Sequence, residues 1–271
     1  MYRIQHCDDR ALLRTFMNQD AFVYAYALGD LDDVNWPHSD FWCAFAGEQL
    51  RGFVLFFHGF EIPSLTLGGD AKAVAAIMKD ISLPQESFCL APGNFDDLLT
   101  RYYTAPHLHD LHRMVLLPGE FRACGRALPT PLTLQRLHRA HTAMLNHLYA
   151  QAAEPGENVV AFSPDQIEQG VFMGAVAAQD GQLIAAAGTH IASQAENIAA
   201  VGNVFTQPSW RGRGLAQITT SAVVAVLFGM GISRVVLNVK QDNLPAIRAY
   251  KNLGFRVYSD FIEGPAHLLQ T

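Results

Sequence analysis

Gly202-Asn-Val-Phe-Thr-Gln-Pro-Ser-Trp-Arg-Gly-Arg-Gly-Leu-Ala216 reads as a strand that ends in a turn rich in glycine and arginine and then opens a helix. The first N–H groups of a helix have no intrahelical partners, and a glycine-rich turn lets them converge on an anion without Cβ atoms in the way. Arg211 and Arg213 add positive charge to that cradle. The spacing is neither Gly-x-Gly-x-x-Gly nor Gly-x-x-x-x-Gly-Lys-Ser/Thr, so the dinucleotide and nucleoside-triphosphate fingerprints do not apply. What fits is Arg-x-x-Gly-x-Gly/Ala, carried by Arg211, Gly214 and Ala216.

A second block follows the turn and its helix: Leu237-Asn-Val-Lys-Gln-Asp-Asn-Leu-Pro-Ala-Ile-Arg-Ala-Tyr-Lys-Asn-Leu-Gly-Phe255. With this strand, Asn-x-x-Ala helix, tyrosine and Gly-Phe ending, the chain resembles the GNAT superfamily of acyl-CoA-dependent N-acyltransferases over roughly residues 132 to 262. Asn203-Val-Phe-Thr206 ahead of the turn is similar to the glycine N-acyltransferase branch. The resemblance implies that the pantetheine arm of acetyl-CoA lies along Val204, Phe205 and Thr206. It also implies that the pyrophosphate sits on the N–H groups of Arg211, Gly212, Arg213, Gly214, Leu215 and Ala216, and that Asn243 and Ala246 contact the cofactor. Asn243 before Leu244-Pro245 also has the form of a helix cap.

Composition limits the alternatives. At 271 residues two domains of ordinary size are expected, and a half-hydrophobic sequence is enough for two cores. The formal charge of −6 argues against nucleic acid as the partner and suits one anionic cofactor held in a local basic patch. Cys7, Cys43, Cys89 and Cys124 have no paired spacing, and the sequence starts Met-Tyr-Arg-Ile without an apolar leader, so the expected compartment is the reducing cytoplasm. The most apolar run, Ala222 to Ile232, is too short to span a bilayer.

Turn signals from Pro118-Gly119 to Pro131 interrupt the periodicity, which places a boundary between residues 1–127 and 128–271. Downstream, strands are expected at Leu132 to Leu137, Phe172 to Ala178, Leu183 to Ser193, Ile198 to Thr206, Val235 to Val239 and Phe255 to Phe261. Helices are expected at His138 to Ala150, Ser163 to Gly170, Leu215 to Met230 and Ala246 to Leu253, with a hairpin at Asp180-Gly181. The fold class is mixed α/β (α+β), a largely antiparallel sheet flanked by helices. A similar rhythm upstream, with a hairpin at Gly47-Glu48, implies that residues 1–127 form a related but degenerate domain. Its corresponding turn, Leu67-Gly-Gly-Asp-Ala71, sets Asp70 where a pyrophosphate would lie, so this half is expected not to bind CoA.

Acyl transfer from a thioester to an amine needs a neutral amine and a proton for the leaving thiolate. Tyr250 falls at the tyrosine position of the resembled family; a phenol of pKa about 10 can donate to a thiolate of about 8.5 without ionising at pH 7. Packing a helix on the sheet is the other role open to it. An alkylamine must lose a proton at a cost of roughly 4.6 kcal/mol at pH 7. No glutamate lies on Ile198 to Thr206, which leaves His190 as the candidate base, against its reading as a solvent-facing histidine of an edge strand. His107, His109 and His112, and His138, His141 and His147, lack metal-ligand spacing, so no metal is expected. The reading is an N-acetyltransferase acting on a small-molecule amine, monomer or homodimer, with no nucleic-acid or membrane partner. The alternatives are a peptide N-acetyltransferase and a non-catalytic acyl-CoA-binding regulatory module.

Overall fold

The computed structural model describes residues 1–151 and 161–269. In chain order the elements are β1 (Arg3–His6), α1 (Arg10–Met17), α2 (Ala25–Gly29), β2 (Ser39–Ala46), β3 (Gln49–Phe57), β4 (Ser64–Gly69), α3 (Ala71–Asp80), β5 (Glu86–Pro92), α4 (Asp96–Leu99), β6 (Tyr103–Thr104) and β7 (His109–Leu116). They continue with β8 (Leu132–Leu137), α5 (Thr142–Ala150), α6 (Pro164–Gln169), β9 (Phe172–Ala177), β10 (Leu183–Ser193), β11 (Ile198–Thr206), α7 (Leu215–Gly229), β12 (Arg234–Lys240), α8 (Leu244–Asn252) and β13 (Arg256–Leu268). Among the described residues no helix is long and apolar enough to cross a membrane.

The chain packs as two compact units, one of Met1–Arg113, Asn238–Asp242 and Val257–Thr271, the other of Met114–Leu237 and Asn243–Arg256. This division differs from the one expected between 127 and 128, for two physical reasons. Residues after Arg113 pack on α7, with the Phe121 ring against Phe228 and the Cys124 N–H donating to Ser221 Oγ at 2.9 Å. The last strand, expected to stop at Phe261, runs on to Leu268 and pairs antiparallel with β5 from Phe261↔Pro92 to His267↔Glu86, which assigns it to the first unit.

In the first unit β1, β2, β3 and β4 are antiparallel neighbours, and β4 and β5 run parallel. α3 makes the crossover between that parallel pair. Its apolar stripe of Ala73, Val74, Ile77 and Met78 packs on Ala44, Val54, Leu65 and Leu67 of the sheet. Asp70 opens the helix, its side chain accepting from the Lys72 N–H at 2.8 Å. β5 and β7 had no periodic signal: Pro84 and Pro92 bracket the first, and the second opens with His109 and Asp110.

Arg113 is completely buried in this unit. Its Nη1 donates to Phe22 O at 2.8 Å and Val23 O at 3.2 Å, its Nε donates to Asn238 Oδ1 at 2.6 Å, and the guanidinium lies 4.0 Å from the Phe261 ring centre. Burial lowers its pKa to about 10, so it stays charged at pH 7. Arg113→Met would orphan three buried acceptors, and we expect it to destabilise the protein by about 3 kcal/mol in urea denaturation. A loss below about 1 kcal/mol would mean those acceptors find other donors.

The second unit repeats the order: β8, β9, β10 and β11 are antiparallel neighbours, β11 and β12 are parallel, and α7 bridges that pair. Alternate residues of its strands face opposite helices. Ala175 and Ala185 pack with Leu215 and Ile218 of α7, whereas Val176 and Ala186 pack with Leu145 and Leu148 of α5. Burial on both faces fits the apolar stretch that opens β10, Leu183 to Gly188. The expected hairpin is present, with Gly181 at φ +70°. Ser163 caps α6 in a reciprocal pair with Gln166. α5 begins at Thr142, not at His138, because the His138 N–H donates to His141 Nδ1 at 2.9 Å across a short 3₁₀ turn.

Candidate acyl-CoA site in the second unit

β11 leaves its partner strands where the chemistry was expected. Its parallel pairing with β12 ends at Val201↔Leu237. On the β10 side the register passes from Gly202↔Gly188 to Phe205↔Ala186, so Asn203 and Val204 are skipped as a bulge. Asn203 has φ +50°, a conformation asparagine tolerates better than most residues. Tyr149 Oη, from α5, donates to the Asn203 carbonyl. Val204, Phe205 and Thr206 are half-buried along this stretch, and Thr206 Oγ1 is a buried hydroxyl without a hydrogen-bond partner among the described residues.

The following turn runs through Gly212 at φ +79° and Gly214 at φ +80° into α7. Asp9, Asp70, Ser163 and Asn243 cap α1, α3, α6 and α8 with side-chain oxygens, whereas among the described residues no side chain caps α7, as none caps α2, α4 or α5. The first N–H groups of α7 are thus left for an outside acceptor. Arg211 and Arg213 are exposed beside them: Arg211 Nε donates to Thr206 O at 3.3 Å, and Arg213 lies 4.5 Å from the Trp210 ring centre. Leu215 is buried in the core, so only its backbone is available to a ligand, and Ala216 is partly buried.

A third arginine escaped the sequence reading. A Cβ on Gly214 would stand 2.9 Å from Arg126 Cδ and 3.3 Å from its Nη1, which locates that guanidinium at the turn. Nothing in the loop around Arg126 announces this; the Cys124–Ser221 hydrogen bond brings it there.

Tyr250, on α8, is buried, with its ring edge-on to Phe255, and burial raises its pKa to about 12. Tyr149 also has its pKa raised, chiefly by burial. Asn243 is the cap of α8, its Oδ1 accepting from the Ala246 N–H at 3.2 Å. Gly254 ends that helix at φ +100°.

His190 is not on an edge, as the solvent-facing alternative had it: β10 lies between β9 and β11. Its ring covers Gly202, where a Cβ would fall 2.0 Å from Nε2. His190 is nonetheless exposed, as that alternative expects, while surrounding protein lowers its pKa to about 4. Solvent contact moderates that effect, and the imidazole is neutral at pH 7 in either case. Gly202 is therefore the space the imidazole occupies. Gly202→Val is expected to expel the ring and cut amine-dependent turnover at least tenfold; unchanged turnover in a steady-state assay would remove His190 from the site.

Two histidines of the first cluster, His109 and His112, have side-chain partners. His112 Nδ1 lies 2.8 Å from Asp260 Oδ1, and Lys240 Nζ lies 3.1 Å from His109 Nε2. Among the described residues no group of three His, Cys, Asp or Glu side chains is arranged to hold a metal.

Comparison with known proteins agrees with this geometry. Residues 139–255 match the model of the "Acetyltransferase (GNAT) family". A mycothiol acetyltransferase of Pseudarthrobacter chlorophenolicus is 28% identical over 182 residues, covering 62% of this chain and 56% of its own, so the chain spans about half that relative's length. A crystal structure of a Drosophila protein superposes with a TM-score of 0.75 at 15% identity, covering 97% of this chain and 99% of the other. A tandem GNAT protein from the clavulanic acid biosynthesis pathway gives a TM-score of 0.60 at 13% identity, covering 99% of both chains. The matched stretch, residues 139–255, contains the α7 turn and the strand before it, so this part of the chain is similar to the GNAT acetyltransferase family.

Proposed function

We propose that the chain is an acyl-CoA-dependent N-acetyltransferase that moves an acetyl group from acetyl-CoA directly to the amine of a small molecule. The observation that carries this reading is the uncapped α7 N-terminus beneath Arg211, Arg213 and Arg126, directly following a strand whose Asn203–Val204 segment is skipped by the sheet register. The N–H groups of residues 212 to 216 and the three guanidinium groups suit a pyrophosphate. Val204 to Thr206 offer backbone groups to the pantetheine arm, Thr206 Oγ1 is a hydroxyl awaiting a partner, and Asn243 and Ala246 border the same ligand. The Val204 N–H, outside the β10 register, would serve the thioester carbonyl, where negative charge develops.

In the reaction the amine nitrogen bonds to the thioester carbon, the carbon–sulfur bond breaks, and the amine's proton leaves. His190, neutral at pH 7, takes that proton directly or through water. Tyr250 remains protonated because of its burial and donates to the departing sulfur, whose own charge is disfavoured by the same dry surroundings. In the first unit Asp70 already accepts the α3 N–H groups and lies 3.5 Å from Arg51, which supports that unit as a degenerate GNAT-like domain that takes no acyl-CoA. A relative named mycothiol acetyltransferase supports a small-molecule acceptor.

The test is thiol release from acetyl-CoA with a panel of primary amines, including amino sugars and amino acids, and mass analysis of the products. Amine-dependent release with an acetylated amine is the expected outcome. Tight acetyl-CoA binding without release, for any small amine or peptide, would favour the regulatory module instead. With an acceptor in hand, kcat/KM should rise with pH up to the acceptor's own pKa and show no limb near 6.5, because the His190 pKa lies below its ordinary value and that of Tyr250 above. A limb near 6.5 would point to another base.

A further inference from the structure

Tyr149 was not among the residues expected to serve the reaction, yet it meets the site at its most unusual point. It is buried on α5, ring to ring with Phe162 at 5.1 Å and Phe205 at 5.8 Å. Its hydroxyl donates to the carbonyl of Asn203, the residue held at φ +50°. That carbonyl and the Val204 N–H belong to one peptide unit. A trans peptide is planar, and its C=O and N–H point in opposite directions. Holding the oxygen toward Tyr149 therefore turns the Val204 N–H the other way, out of the β10 register and away from α5.

We infer that Tyr149 is a positioning residue that fixes the Asn203–Val204 peptide plane so that the Val204 N–H is preorganised toward the acyl carbonyl. The inference rests on the assignment of that N–H to the thioester in the proposed function. Without the phenol, a non-glycine residue in the left-handed region has lost a restraint, and the peptide is free to rotate. A donor aimed before the substrate arrives costs no reorganisation during the reaction, which is where such groups gain their effect.

The experiment compares the Val204 amide resonance in protein saturated with acetyl-CoA and with CoA, in wild type and Tyr149→Phe. In wild type the acetyl group should move the amide proton downfield relative to CoA. In Tyr149→Phe that difference should shrink by at least half, kcat should fall about tenfold, and KM for acetyl-CoA should change less than twofold, since the α7 turn is untouched. A general packing defect would instead weaken CoA binding together with turnover and leave the difference intact. If wild type shows no difference between the two ligands, the assignment of the Val204 N–H fails. If wild type shows it and Tyr149→Phe keeps it in full, only the role of Tyr149 fails. Should Tyr149→Phe not fold, 3,5-difluorotyrosine at position 149 supplies a stronger donor on the same ring. A changed Val204 difference then supports the inference, and an identical one overturns it.

Discussion

Gly214→Val should weaken acetyl-CoA binding by 100-fold or more, about 3 kcal/mol, while leaving the protein folded. Two effects combine at this position. Gly214 sits at φ +80°, where a β-branched residue is strongly disfavoured, so the backbone leaves the conformation that aims the first N–H groups of α7 outward. The new side chain also meets Arg126, whose Cδ is 2.9 Å from the Cβ position, and pushes that guanidinium off the turn. The core face of α7, with Leu215, Ile218, Val223, Val224 and Leu227 buried, is untouched. Calorimetry with acetyl-CoA reads the affinity and thermal denaturation reads the fold, and the expected loss appears in the first far more than in the second. Binding within threefold of wild type would mean that the pyrophosphate rests elsewhere.

Tyr250→Phe should lower kcat by about 100-fold with the acetyl-CoA dissociation constant changed less than twofold. The ring is retained, so the edge-on contact with Phe255 and the packing of α8 survive, and only the hydroxyl is lost. Its raised pKa makes it a donor at any pH the protein tolerates, so the wild-type profile should contain no alkaline limb from this group below about pH 10. Steady-state rates and a binding isotherm on the same preparation separate the two roles weighed for it. A kcat within threefold of wild type would leave Tyr250 as a packing residue.

The parts of this protein that were legible in its sequence are those fixed by local chemistry. The glycine and arginine turn, the Ser163-Pro164 helix start and the Asp180-Gly181 hairpin need φ values or caps that few residues supply. What was illegible depends on residues distant in the chain. The final strand outruns its expected end because β5 pairs with it as far as His267, and β5 itself is masked by its flanking prolines. Arg126 reaches the turn only because Cys124 is tied to α7, and Tyr149 reaches the bulge only because α5 packs on β10 and β11. The candidate base is illegible on β11 itself, because that strand carries Gly202 and the imidazole of His190 fills the space from the neighbouring strand.

The most direct test is a calorimetric titration of the 271-residue chain with acetyl-CoA, read for stoichiometry. The account predicts one site per chain, because α7 offers uncapped N–H groups under three arginines while Asp70 already occupies those of α3. No binding would contradict the acyltransferase assignment, and two sites per chain would contradict the claim that the first unit takes no acyl-CoA.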